Sequence, residues 1–177
     1  MSINLEKDQR LEQKVSFGKI FSYSSLGFGM SLTSNLIASR LTAFYETEVL
    51  LPIQFMTLAM VIYTIWDMVN DPLLGSMSDR IYKFTRKRGK RYPWIKLSLL
   101  PLAVTTILLY IPPDPARNLY ATFLWYLISL MLYDTFVSLQ QVNSNALFPV
   151  LFPSLKDRSR VSGLIYLMST VGMIVGL

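Results

Sequence analysis

Asp67 and Asp71 are four residues apart and share one helix face, with Asn70 beside them on the same side. They sit inside an otherwise apolar stretch, where a charged side chain costs on the order of 2.5–3.5 kcal/mol even on the lenient insertion scale. Two such groups on one face call for a polar cavity and a positive guest, or for a proton on one of them. Pro72 follows directly and has no N–H, so the carbonyl of Met68 loses its helical partner and becomes a further oxygen donor. Two carboxylates, an amide and a freed carbonyl make an oxygen-rich site suited to Na⁺ or H⁺. The plainer alternative is a helix end whose acids pair with the basic run behind it. Asp67 lies well upstream of that run, which argues against it. The sequence has no cysteine and no histidine. Disulfides, thiol chemistry and the usual zinc and haem ligands are therefore set aside, and proton coupling would have to run through carboxylates.

A second polar stripe follows downstream. Asp134, Ser138, Gln141 and Asn145 fall on one helical face, with Gln140, Asn143 and Ser144 alongside. Such a stripe lines a substrate path or joins helices by hydrogen bonds, and both readings stand. Asn35 and Trp66 join Asp134, Gln141 and Asn145 as candidate path residues. Between the two stripes, Gly75, Asp79, Arg80, Arg86, Gly89 and Arg91 form a candidate cytoplasmic gate, with Asp79 latched by Arg80 and Arg86. A solvated loop drawn to anionic lipid is the alternative.

The elements that must position these residues are apolar and long. Hydrophobic residues make up 52% of the 177 and charged residues only 16%, well below the share usual in a soluble domain. The charges cluster between uncharged stretches, as in a polytopic membrane protein. The expected layout is a polar tail over 1–16 and a helix bundle over 17–177. Spans are expected at about Phe17–Tyr45, Pro52–Ser76, Pro93–Ile111 and Asn118–Leu147, with a fifth from Val161. Pro112, Pro113 and Pro115 close the third span. Pro149 and Pro153, with Lys156, Asp157, Arg158 and Arg160, are assigned to the loop before the fifth. Hydroxyl and glycine residues crowd the first span, which marks it as interior to the bundle. Of 17 lysines and arginines, only Arg40 and Arg117 fall on the side opposite the N-terminus, so positive-inside bias puts that terminus in the cytoplasm. The tail shows no cleavage site, and the first apolar segment is expected to remain as an anchor. The sequence stops inside the fifth segment, which reads as the leading part of a longer carrier or a truncated product. The fold class is all-α, a polytopic membrane helix bundle.

Trp66-Asp-Met-Val-Asn-Asp-Pro-Leu-Leu-Gly75, followed by Arg88-Gly-Lys-Arg-Tyr-Pro-Trp94, is similar to the signature of the glycoside–pentoside–hexuronide:cation symporters, the melibiose permease-like family of the major facilitator superfamily. Gly75, Asp79, Arg80, Gly89, Lys90 and Arg91 resemble a stretched form of the superfamily's loop motif. The resemblance covers essentially the whole chain. It implies the N-terminal part of a major facilitator fold, with Asp67, Asn70 and Asp71 as coupling-cation ligands and Ser138 where a family threonine completes the site. The archetype's helix-one Lys-Asp pair matches Met30 and Ser31 here, its helix-four carboxylate matches Gln141 and a nearby tryptophan matches Asn145, and its helix-five arginine has no counterpart near Ile165 and Tyr166.

The resemblance therefore implies a cation-coupled secondary transporter of a sugar, glycoside or related small solute in the cell membrane, present as a portion not expected to transport alone. The alternatives are a non-transporting scaffold or regulator, and a carrier of an amphiphilic, lipid-like substrate. An enzyme is not expected, nor any cofactor beyond the coupling Na⁺ or H⁺. The expected partners are the bilayer, the transported solute, and a C-terminal half or partner helices; nucleic acid is not among them.

Overall fold

The computed structural model describes residues 15–80, 82 and 89–177. Five α-helices follow in order: α1 (Phe17–Leu36), α2 (Ile53–Asp79), α3 (Tyr92–Leu109), α4 (Leu119–Leu151) and α5 (Leu155–Val175). The described residues contain no strand, and the fold is the expected all-α bundle. By length and composition α2, α3 and α4 can each cross a membrane. Large apolar side chains such as Ile65, Val69, Leu100 and Ile107 stand exposed along them, a surface suited to lipid rather than water.

Several boundaries differ from the sequence reading. The first span is α-helical only to Leu36 and goes on through two π-helical stretches, Ile37–Leu41 and Phe44–Glu48. α2 continues past Ser76 to Asp79, carrying Pro72 inside it. α3 stops at Leu109, shortly before the proline cluster. Pro149 does not end α4, which continues to Leu151. A proline removes one backbone bond and bends a helix, but flanking turns can hold the helix together. Lys156, Asp157, Arg158 and Arg160 are not loop residues; they open α5, which starts at Leu155 after an extended Ser154. Asp157 in its first turn suits the positive end of the helix dipole. Arg158 turns back to donate from Nε to the Phe152 carbonyl at 2.7 Å, covering an oxygen left free where α4 ends.

The chain divides into two compact units, one joining α1 to the segment from Phe148 to Leu177, the other running from Ile37 to Leu147. In the first, α1 and α5 meet through small residues. A Cβ at Gly27 would fall 2.8 Å from Ser169 Oγ, one at Gly176 2.9 Å from the Leu32 carbonyl, and one at Gly172 would collide with the Phe28 carbonyl. Backbones this close are what glycine permits between membrane helices. Ile20, Phe152 and Val161 pack where α1 begins and α5 follows α4, with the Tyr23 ring edge-on to Phe152.

In the second unit, the larger core gathers Leu41, Tyr45, Met56, Ala59, Leu109, Tyr126 and Leu130. Its polar ends are bonded across elements: Tyr45 Oη donates to the Leu109 carbonyl (3.0 Å) and Trp125 Nε1 to the Leu108 carbonyl (2.9 Å). These bonds satisfy carbonyls at the end of α3 and fix the register of its neighbours. At the opposite end Leu74, Trp94 and Leu139 pack together, with the Tyr82 ring edge-on to Trp94. α2 and α4 are thereby held at both ends.

Candidate functional site

α2 carries Asp67 at its middle and Asp71 one turn further on. Asn70 is 4% exposed, Asp67 is half-buried and Asp71 is exposed. The helix turns Asn70 into its neighbour α4 and leaves the two acids on the flank beside it. Across the interface stands Asp134 of α4, 6% exposed. Tyr63 Oη donates to Asp134 Oδ1 and Asn70 Nδ2 donates to Asp134 Oδ2, each at 3.1 Å. Trp66 Nε1 donates to Thr135 Oγ1 at 3.3 Å. Asp67 and Asp71 both lie within electrostatic reach of Asp134. The polar residues of α2 and the stripe of α4 therefore meet, with Asn70 as the hinge between them.

Of the expected cation set, Asn70 is the residue bonded across to α4, through Asp134. Asp67, Asn70 and Asp71 share a face, and the proline-freed Met68 carbonyl is one turn before Pro72. Ser138 is buried one turn beyond Asp134, while the bonds joining α4 to α2 run through Asp134 and Thr135. Among the described residues no three acidic side chains gather closely enough to hold one metal ion between them. An ion at Asp67 and Asp71 would be completed by neutral oxygens.

The candidate path residues divide. Asp134 and Trp66 are tied into the α2–α4 network. Gln141 and Asn145 continue the Asp134 face but stand exposed. Their neighbours Gln140, Asn143 and Ser144 are the buried ones. Asn35 belongs to the first unit, where its Nδ2 donates to the Ser31 carbonyl at 3.0 Å and its Cβ lies against Gly176.

At the Asp79 end of α2, the acid of the expected latch pairs with a gate residue other than Arg80. Asp79 forms its ion pair with Arg91. Arg91 also donates from Nη1 to Ser78 Oγ (2.8 Å) and Asn143 Oδ1 (3.4 Å), so one guanidinium joins the ends of α2 and α4. Its planar fork is suited to several acceptors at once. Arg80 is exposed at the C-cap of α2, and Arg86 lies outside the described residues. Gly89 has φ of 86°, the left-handed region that favours glycine, and so turns the chain just before Arg91. Gly75 faces Val142 at ordinary contact distance.

Tyr63 and Thr135 were not singled out from the sequence. Tyr63 lies two turns before Asn70 on the same face, a spacing that would have included it had aromatic hydroxyls been counted as polar. Thr135 had no such signal, because its role depends on how α2 and α4 are aligned.

Comparison with known proteins adds an independent line. Residues 22–177 match the model of the family described as MFS/sugar transport protein. The chain is 26% identical over 170 residues to an uncharacterized symporter of Synechocystis, covering 93% of this chain and 30% of that protein. It is 31% identical over 113 residues to the sodium-dependent lysophosphatidylcholine symporter 1-A of Danio rerio, covering 63% of this chain and 20% of the relative. It is 29% identical over 115 residues to the inner membrane symporter YicJ of Escherichia coli, covering 60% and 24%. The chain thus spans under a third of the length of these relatives.

Proposed function

Because this chain belongs to the MFS/sugar transport protein family of the major facilitator superfamily, we propose that its five helices form the coupling-cation side of a symporter that drives a small solute across the cell membrane with Na⁺ or H⁺. The observation that carries this reading is the Asp67–Asn70–Asp71 face at mid-helix, tied through Asn70 to a buried acid on α4. Such acids are costly in hydrocarbon, and an ion bound between them offsets that cost.

Coupling follows if the ion binds one conformation better than another. Cation occupancy neutralises Asp67 and Asp71 and favours the state that receives the solute, which is the differential affinity that symport requires. The Arg91 fork across Asp79, Ser78 and Asn143 closes the cytoplasmic ends of α2 and α4 in the conformation described here. Carriers built from two facing bundles rock about a site at their interface. Uptake is accordingly expected only where a second bundle faces these helices.

The solute is read as a sugar, glycoside or similar polar molecule, entering by the exposed Gln141–Asn145 face. A second reading, an amphiphile with a polar headgroup, is supported by similarity to a sodium-dependent lysophosphatidylcholine symporter. Uptake assays with a panel of labelled sugars, glycosides and lysophospholipids, run with Na⁺ and pH gradients imposed separately, decide both points. Accumulation of one solute class that follows one gradient supports symport, and accumulation indifferent to both gradients contradicts it.

A further inference from the structure

Asp134 is the only acid on α4, and neither α2 nor α4 contains a lysine or arginine. Its two oxygens each accept one bond from a neutral donor, Tyr63 Oη and Asn70 Nδ2. A buried carboxylate with no cationic partner among the described residues is an expensive way to join two helices, since a neutral amide would accept the same bonds. What the ionised carboxylate adds is exclusivity, because in that form it accepts and does not donate. The Asn70 side chain has a donor end and an acceptor end. An acceptor-only partner fixes which end faces α4. With Nδ2 drawn to Asp134, the amide oxygen is turned away from it, and a cation needs the oxygen rather than the NH₂.

The geometry points to Asp134 as the positioning residue of the cation site: it locks the Asn70 amide with its oxygen available beside Asp67 and Asp71, and it sets cation affinity without touching the ion. This deepens the reading of Asp67, Asn70 and Asp71 as cation ligands and rests on it. Asp134 stands to Asn70 as an outer-shell carboxylate stands to a metal-binding histidine, whose working orientation it fixes.

The test is Na⁺ binding to the full chain in lipid nanodiscs, measured with ²²Na⁺ at constant ionic strength, with melting temperature recorded on the same samples. Asp134→Asn presents both a donor and an acceptor, so Asn70 is satisfied in either orientation and is no longer locked. Na⁺ affinity should fall roughly 10- to 100-fold, the usual effect of losing an outer-shell partner. The double variant Asn70→Asp/Asp134→Asn reverses the pair, with the new amide donating to the new carboxylate, whose second oxygen faces the site. It should return affinity towards wild type, a recovery that lost packing alone would not give. Wild-type affinity in Asp134→Asn, or a weakened single variant that the reversed pair fails to rescue, overturns the inference. If Asp134→Asn does not insert, Asp134→Glu carries the same test: unchanged melting with weakened Na⁺ binding supports the role, and unchanged binding contradicts it. Asp71→Asn separates the two levels. Na⁺ binding that survives there removes the cation site itself, whereas loss there with intact Asp134→Asn removes only the positioning role.

Discussion

A carboxylate set in an apolar helix must do something that a neutral residue cannot, and α2 and α4 carry three along their apolar stretches, one of them, Asp134, bonded to Asn70. Replacing Asp71 by Asn removes a proposed direct ligand while leaving the helix its length and polarity. Cation affinity should drop by more than the roughly 10- to 100-fold expected for supporting groups, and cation-driven uptake by a carrier containing this segment should be lost. Immunoblots of the membrane fraction should show normal insertion. A variant that still accumulates solute on a cation gradient would remove Asp71 from the mechanism. Asp67, Asn70 and Asp71 were readable in the sequence because their relation is local: spacing along one helix is enough to place them on one face. The partnership of Tyr63 and Asn70 with Asp134 was not readable, since the pairs span 71 and 64 residues and depend on the alignment of two helices. The same is true of the Asp79–Arg91 ion pair, whose members lie 12 residues apart across the loop.

Helix pairs give predictions of a different kind. Gly172 faces the Phe28 backbone so closely that any larger residue must push α1 from α5. Gly172→Leu should destabilise the detergent-solubilised chain by at least about 1–3 kcal/mol, the usual cost of overpacking, seen as a lower melting temperature. Gly29→Ala meets nothing within 4 Å and should be neutral or slightly stabilising, since alanine is the better helix former by roughly 0.5–1 kcal/mol. Equal effects of the two would refute the close approach. At the other end, Arg91→Ala removes the bonds to Asp79, Ser78 and Asn143. A cysteine at Ser78, buried in the parent, should then react several-fold faster with a membrane-permeant thiol reagent; an unchanged rate would mean the fork closes nothing. Helix number and apolar character were legible from composition and proline placement. The ends were less so, because Pro149 was read as a stop although a helix can carry a proline where its neighbours compensate. The charges after Pro153 looked like loop residues but open α5, where an acidic first turn and the Arg158 bond to Phe152 favour helix.

For the molecule as a whole, composition already determined that this is a multi-pass membrane protein, and the family match places it among the major facilitators. Its orientation is a proposal that rests on the uneven placement of lysine and arginine. The absence of cysteine makes it simple to check. A single cysteine at Ser2 should be protected from a membrane-impermeant thiol reagent in intact cells, and one at Ala116 should be labelled; the reverse pattern would invert the topology. What composition cannot encode is whether the acids in the oil hold an ion. That question is answered most directly by equilibrium ²²Na⁺ binding to the purified chain in nanodiscs, repeated at low and high pH and with Asp71→Asn. The account predicts saturable binding, by Na⁺ itself or by H⁺ competing with it as pH falls, that disappears in the variant. Absence of both Na⁺ binding and proton uptake at the site, or binding equal in parent and variant, would contradict it.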